Sequence, residues 1–542
     1  MKKKPAVVLV TNGPGSSNTL TGVLGAYQDS IPMVIISGNV PRRQSVSNAG
    51  RPVRQFGVQE ADIIPVIKSI TKFAVQLTEP DQFDTYLMKA WVEATSGRMG
   101  PVWLDIPLDL QSIAVDTDAV IAVEDIEYEY SSVGGVAADM HYKDVVDSLN
   151  KASRPVIIAG SGVHLANCEE AFLSIVKSLG IPVVCTWHAT DLFDYDDELY
   201  VGNFGLLGER AGNFAVQNAD LLLILGSRMS IPNVGYETQL FSPGSKKIMV
   251  DIDDDELAKV SLDIDVRICA DLAAFLFGFA NIIPQIVDNK IHGWVELLIK
   301  WKKRFPIVKE DHLRVDGRVN SYDFIDLLSA QLKKNDVVVT DMGTSFTCTM
   351  QSMRNTGKNR LFTSSGTSSM GFGLPGAIGA FYADKSSRVV CIAGDGGFQM
   401  NIQELQTVVH NSIPLKIFIL NSEGYLAISI MQKNLFKGNY FGSTPSSGVS
   451  SPGFARIAEA YGITSIKIES LSDLTSGRMD EIMNSKKSFL CEVMIPNEQL
   501  MIPRVQSQID ENGKMMSGSI DSMFPYLSDS DADQINDELA KL

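Results

Sequence analysis

The sequence contains no Cys-x-x-Cys pair. Its six cysteines, Cys168, Cys185, Cys269, Cys348, Cys391 and Cys491, stand far apart, several of them inside apolar runs. This usage fits buried free thiols in a reducing compartment, so a cytoplasmic location is expected. Histidine is equally sparse. No two of His141, His164, His188, His292, His312 and His410 are close enough to form a helical zinc pair, which argues against a zinc hydrolase. Long apolar runs are missing too. Phe275–Ile283 is too short to span a bilayer and Pro284 ends it. Met1-Lys2-Lys3-Lys4 leads at once into a short strand pattern and a Gly-Pro-Gly turn, without the apolar core of a secretory signal. Basic residues are outnumbered: 47 Lys and Arg face 64 Asp and Glu, a net charge of −17. That balance argues against a general nucleic-acid or membrane-surface binder, and no membrane or nucleic-acid partner is expected. Short repeats and low-complexity tracts are absent.

What is present is a regular alternation of strand and helix patterns. The length of 542 residues provides three or four domains with ample core. In the first third, Ala6–Thr11, Met33–Ser37 and Val102–Ile106 read as strands. Ser16–Gln28 reads as a helix that Ser16 or Ser17 caps. Ala114–Gly135, acidic and then small, reads as a linker. A second unit has strands Pro155–Ala159, Pro182–Cys185, Leu221–Leu225 and Lys247–Val250. A helical connector, Trp294–Phe305, leads to a third with strands Val337–Thr340, Val389–Ala393, Leu415–Leu420 and Phe489–Val493. The expected fold class is α/β: three open, mostly parallel, doubly wound sheets with helices on both faces. Expected domains are 1–115, 140–290 and 305–500, followed by a C-terminal tail, 501–542.

The densest chemistry lies between Gly394 and Tyr425. A strand runs into Gly394-Asp395-Gly396-Gly397, an amphipathic helix follows, and the next strand ends in Asn421-Ser422-Glu423-Gly424. In a parallel βαβ unit the carboxyl ends of both strands lie side by side, so Asp395 and the second turn converge. One carboxylate, small polar side chains and a free carbonyl beside glycines suit Mg²⁺ holding a diphosphate.

Other turns carry two readings each. Gly13-Pro14-Gly15 is a tight strand–helix turn or a close approach of backbone to a ligand, with Asn18 one turn on able to add an amide. Gly160-Ser161-Gly162 follows a strand, but Leu165 occupies the third glycine position of the dinucleotide fingerprint, so nucleotide binding there is weakly signalled. Asp251, Asp253, Asp254 and Asp255 read as helix caps first and ribose ligands second. Arg228 is a phosphate contact or a solvated loop residue. Asp341-Met342-Gly343-Thr344-Ser345 ends a strand and offers hydroxyls and N–H groups to phosphate. Thr363–Leu374 is rich in Gly and Ser, with Met370 the bulky residue at its centre.

Taken together these blocks resemble the thiamine diphosphate enzymes of the acetolactate synthase family. The resemblance runs collinearly through VVLVTNGPGSSNTLTGVLGAYQDSIPMVIISG, RQFGVQEADIIPVIKSITKFAV, GPVWLDIPLDLQ, LLLILGSRMS, VDIDDDEL, SSGTSSMGFGLPGAIGA, GDGGFQMNIQELQ and ILNSEGY. It implies a pyrimidine-binding domain, a central Rossmann-like domain and a diphosphate-binding domain. It also implies a homodimer or homotetramer with active sites between subunits. By position, Asp395, the residue at 422 and the Gly424 carbonyl would hold Mg²⁺. Gly343, Thr344, Ser345, Gly394, Gly396, Gly397 and Tyr425 would surround the diphosphate. Met370 would bend the cofactor and the Ser368 carbonyl would receive its amino group. Gly13, Pro14, Gly15 and Asn18 would line the pyrimidine side, and Gln59 would approach substrate from the partner subunit.

This chain departs from the family pattern at several points. Ser422 stands where Asn is usual, and Thr344-Ser345 replaces a Gln-His pair. Pro232 occupies the place of an arginine that serves FAD and pyruvate, and Ser429-Ile430-Met431 replaces Arg-Gln-Trp. FAD is therefore a candidate second ligand that these substitutions argue against. The family's activating glutamate lies upstream of the Val7–Val10 strand, and the chain is expected to be truncated before it; losing that proton relay costs about 10²–10⁴-fold. The expected activity is decarboxylation of a 2-oxo acid and transfer of the acyl group to an acceptor. The alternatives are a simple 2-oxo acid decarboxylase, transfer to a keto-sugar nucleotide, or a non-catalytic homologue that binds the cofactor.

Overall fold

The computed structural model describes residues 4–114, 141–259, 262–285, 291–310, 312–315, 317–509 and 515–542. The linker expected over 114–135 lies, beyond Ala114, outside the described residues, as do Lys2 and Lys3. Two compact units are distinguished. The smaller holds a four-stranded sheet and Ser364–Ser369; the larger holds the two six-stranded sheets and the tail.

The three large sheets are parallel, as the alternating pattern predicts, and two short antiparallel pairs, Arg504–Val505 with Met523–Phe524 and Gln508–Ile509 with Met515–Met516, lie in the tail. The first comprises β1 (Ala6–Val10), β2 (Met33–Asn39), β3 (Phe73–Gln76) and β4 (Pro101–Pro107) in the order β1-β2-β4-β3. Its central strand β4 is almost wholly buried, whereas β1 lies at the edge with Val7 60% and Leu9 78% exposed on one face. The second comprises β5 (Pro155–Ala159), β6 (Val183–Cys185), β7 (Tyr200–Asn203), β8 (Leu221–Leu225), β9 (Lys246–Asp251) and β10 (Val266–Cys269), ordered β10-β9-β8-β5-β6-β7. The third comprises β11 (Val337–Thr340), β12 (Arg360–Phe362), β13 (Val389–Gly394), β14 (Lys416–Asn421), β15 (Thr464–Ile468) and β16 (Phe489–Met494), ordered β12-β11-β13-β14-β16-β15.

The third sheet positions the chemistry. β13 and β14 are continuous apolar runs because both their faces are covered, as parallel central strands require. Phe324, Phe346 and Ile482 pack on one face, and Leu374, Phe398, Leu405 and Phe454 on the other. Chain order reverses between β11 and β13, so the loops leaving their carboxyl ends diverge and open a crevice, the usual ligand position in such sheets. At the opposite end, buried Lys416 donates from Nζ to the Pro414, Ser485 and Lys487 carbonyls at 3.1, 2.7 and 2.8 Å. Burial pulls its pKa down to about 8.

Some expectations are corrected. The helix expected over Ser16–Gln28 is two pieces, Pro14–Ser17 and Leu20–Gln28. Neither serine caps it; the Ser16 hydroxyl donates to the Thr11 carbonyl at 2.9 Å. The tail is not a bare appendage. Val505, Ile520, Met523 and Ile535 share an apolar layer with Trp294 and Trp301 over the second sheet, and the Trp301 indole donates to Glu538 at 2.8 Å. None of the six cysteines forms a disulfide among the described residues; Cys269 is exposed, the others buried.

Candidate functional site

β13 and β14 run in register, Gly394 beside Leu420, so the residues that follow them are neighbours. Asp395 starts the helix Asp395–Met400 and is buried. Its Oδ2 accepts from the Ser422 and Gly424 amides at 3.1 and 3.0 Å and from the Ser451 hydroxyl at 2.8 Å. Its Oδ1 accepts only the Gly396 amide, at 2.9 Å, among the described residues. No basic group is among these partners, and burial raises its pKa above the ordinary carboxyl value. Beside it the Ser422 hydroxyl meets the Gly424 carbonyl at 2.9 Å. The adjoining Asn421 is buried and donates to Glu492 at 2.7 Å, so it braces the turn from behind.

Glycine is required at 396. A Cβ there would fall 2.2 Å from the Tyr425 ring and 3.2 Å from the Met370 methyl, so these side chains converge on the turn. Thr344 and Ser345 are buried in the first turn of the helix Thr344–Ser352, behind Gly343 at φ +80°. Ser345 turns its hydroxyl onto the Met342 carbonyl at 3.1 Å.

Asp341 opens the turn read as a phosphate contact, but its carboxylate has no role in that reading. It lies buried at the end of β11, with its pKa raised by burial. Its carboxylate accepts the amides of Met342 at 2.7 Å, Gly371 at 3.0 Å and Gly373 at 3.2 Å. An acid directly after a buried strand at a point where strand order reverses was the signal available for it.

In the smaller unit, Gly13 has φ +58° and a Cβ on it would fall 2.1 Å from the Gln59 carbonyl. The Gly-Pro-Gly turn and Gln59 are thereby brought together, and the Asn12 amide donates to the Val58 carbonyl at 3.2 Å. Gln59 itself is exposed, in the left-handed region at φ +54°. Buried Glu60 holds this loop by accepting the Val46, Phe56 and Gly57 amides at 2.6, 3.2 and 2.8 Å. Pro14 and Asn18 are exposed. Asp29 accepts the Gly366 amide and the Ser365 hydroxyl, each at 3.0 Å, within the segment that carries Ser368 at φ +53°.

The turns of the second sheet look different. Gly160 and Gly162 donate their amides to the Leu225 and Gly226 carbonyls, each at 2.9 Å. A Cβ on Gly160 would fall 2.1 Å from the Gly226 oxygen. These glycines serve loop-to-loop packing, and the two amides are not offered to a phosphate. Asp253 caps the helix Asp254–Ala258 by accepting the Asp255 amide, the first of its two readings. No group of three or more His, Cys, Asp or Glu able to hold a metal occurs among the described residues. A metal at Asp395 would therefore be held by mixed oxygens.

Three parallel doubly wound sheets, with a buried carboxylate at the switch point of the third, define the class: a thiamine diphosphate enzyme. Residues 1–66 match the family model of the N-terminal TPP-binding domain of thiamine pyrophosphate enzymes, 142–278 the central domain and 341–493 the C-terminal TPP-binding domain. Within that class the chain belongs to the acetolactate synthase large-subunit family. It is 30% identical over 516 residues to a probable acetolactate synthase large subunit of Methanococcus aeolicus, covering 92% of this chain and 83% of that one. It is 30% identical to the isozyme 1 large subunit of Escherichia coli K12 (93% and 84% covered) and 29% to the large subunit of Lactococcus lactis (93% and 83%).

Proposed function

We propose that this protein is a Mg²⁺- and thiamine diphosphate-dependent carboligase that decarboxylates a 2-oxo acid and joins the remaining acyl unit to an acceptor. The carrying observation is the Asp395 cluster. A buried carboxylate without a basic partner, with one oxygen still able to accept, suits a cation. The Ser422 hydroxyl and the Gly424 carbonyl, 2.9 Å apart beside it, are two further oxygens that would hold Mg²⁺. These residues fit the group, with Ser422 in the place of the usual Asn.

Bound thiamine diphosphate supplies the electron sink on which a 2-oxo acid loses CO₂. The chain's residues bind and orient it. Asp395, Ser422 and Gly424 hold the metal. Gly343, Thr344, Ser345, Gly394, Gly396, Gly397 and Tyr425 surround the diphosphate, and Met370 and the Ser368 carbonyl face its ring system. Gly13, Pro14, Gly15, Asn18 and Gln59 serve the pyrimidine and substrate side. The assembly is a homodimer or homotetramer in the cytoplasm, a location supported by the buried free thiols; no described helix is long and apolar enough to cross a membrane. On this reading the chain divides into domains 1–115, 140–290 and 305–500, with the tail 501–542 packed on the second sheet. FAD is not required: the Gly160–Gly162 amides are already bonded and Pro232 replaces the family arginine.

The test is an assay of the full-length protein, activating glutamate included, with thiamine diphosphate, Mg²⁺ and a panel of 2-oxo acids. CO₂ release with an acyloin-type product is expected. Aldehyde as the sole product, or no CO₂ from any acid despite cofactor binding, overturns the carboligase reading.

A further inference from the structure

Gly371 follows Met370 and has φ +91°, a conformation with little intrinsic restraint in glycine. Both its polar groups are nevertheless held. Its N–H donates to the Asp341 carboxylate at 3.0 Å, and its carbonyl accepts the Asn401 side-chain amide at 2.7 Å. Asp341 comes from the end of β11, whereas Asn401 follows the helix that begins at Asp395. Asp341 also abuts that turn, since a Cβ on Gly397 would fall 2.8 Å from its carboxyl carbon. The Met370 methyl lies against Gly396 of the same turn.

We propose that Asp341 and Asn401 are positioning residues that grip Gly371 from two sides and so preset the Met370 side chain over the Asp395 turn. The proposal rests on the thiamine diphosphate reading, in which Met370 contacts the cofactor. Asp341 brings two acceptor oxygens to three backbone donors, Met342, Gly371 and Gly373. An asparagine there would turn an NH₂ group against some of them. Buried and without a basic partner in this set, the carboxylate bears a desolvation cost that its amide bonds offset. Asn401 is only half-buried, so its truncation leaves the core intact.

The experiment compares wild-type protein with Asp341→Asn and Asn401→Ala. In the cofactor-free protein, amide exchange over residues 368–373 is expected to quicken in both variants. With thiamine diphosphate and Mg²⁺, the near-ultraviolet circular dichroism of the bound cofactor should change. At saturating cofactor, kcat should fall about tenfold or more while KM for the 2-oxo acid stays within about twofold, because a displaced orienting group alters geometry and leaves substrate contacts in place. Wild-type exchange, dichroism and kcat in both variants, with a lowered Tm alone, overturn the proposal and leave the functional reading standing. If Asp341→Asn does not fold, Asn401→Ala decides by the same readouts. Wild-type protein that binds no thiamine diphosphate overturns the functional reading and this inference together.

Discussion

The Gly424 amide donates to Asp395 Oδ2 at 3.0 Å across 29 residues of sequence. The bond ties the two turns of a βαβ unit into one cluster and leaves the Gly424 carbonyl beside the Ser422 hydroxyl. The metal proposal depends on this pairing.

Asp395→Asn should abolish Mg²⁺-dependent binding of thiamine diphosphate, by about 100-fold or more in calorimetric Kd. The cofactor-free protein should respond oppositely. Burial raises the folded pKa of Asp395 above its unfolded value, so the folded state binds more protons between those two values. Its stability therefore falls as pH rises through that window, and the variant should flatten that slope in thermal melts taken without Mg²⁺.

Ser422→Ala removes one candidate metal oxygen without touching the Ser422 amide that serves Asp395. The Mg²⁺ concentration for half-maximal activity should rise about tenfold, with the apo melting temperature nearly unchanged. Equal Mg²⁺ dependence in the two proteins would place the metal elsewhere.

Gly396→Ala adds a methyl 2.2 Å from the Tyr425 ring. The ring must swing away, so cofactor affinity should drop while the fold persists; Tyr425→Ala in the same chain should partly restore binding. An affinity unchanged by Gly396→Ala would remove Tyr425 from the site.

Glu209 offers a pH test remote from the third-sheet turns. It is buried, accepts the Asn203 amide at 3.0 Å, and burial pushes its pKa up to about 7 against the opposing pull of Lys302. The folded value exceeds the unfolded one, so stability is lost as pH rises from the ordinary carboxyl range through about 7. Glu209→Gln keeps the acceptor and should remove most of that loss, a difference of a few kcal/mol in chemical unfolding at pH 8.

Asp191 tests an ion cluster in the larger unit. It is fully buried, accepts from Leu361 at 2.7 Å, meets His164 at 2.8 Å and pairs with Arg360. Burial works against its charge, but Arg360 and His164 outweigh it and hold the carboxyl below the usual range. Its contribution is present above the unfolded pKa and is lost as pH falls through the folded one. Asp191→Asn should destabilise the protein by about 1–3 kcal/mol at neutral pH, because half-buried Arg360 and His164 lose their shared counter-charge while His164 keeps Glu169.

The central strands were legible because strands covered on both faces are written as unbroken apolar runs; Leu221–Leu225 and Val389–Gly394 are examples. The edge strands were legible only in part: Ala6–Val10 was read as a strand, but the others were not. Thr464–Ile468 mixes polar with apolar residues because it is covered unevenly, and Tyr200–Asn203 carries a glycine. The convergence of the Asp395 and Ser422 turns was legible because acid, glycine and hydroxyl follow adjacent parallel strand ends directly. The roles of the Asp341 carboxylate and of Asn401 were not legible because they act on backbone groups, and no spacing in the sequence announces which amide a carboxylate will meet. The Gly160 turn shows the reverse: a glycine pattern suggestive of a ligand is satisfied by packing on Gly226.

The last stretch of chain has a consequence for biosynthesis. Val505, Ile520, Met523 and Ile535 complete an apolar layer over a sheet whose strands begin at Pro155. That sheet leaves the ribosome long before its covering does. The part of that layer which these four residues cover then stays wet through synthesis of the whole third sheet, and the middle of this protein completes its packing only when the tail arrives. During translation it is the region with most need of a chaperone.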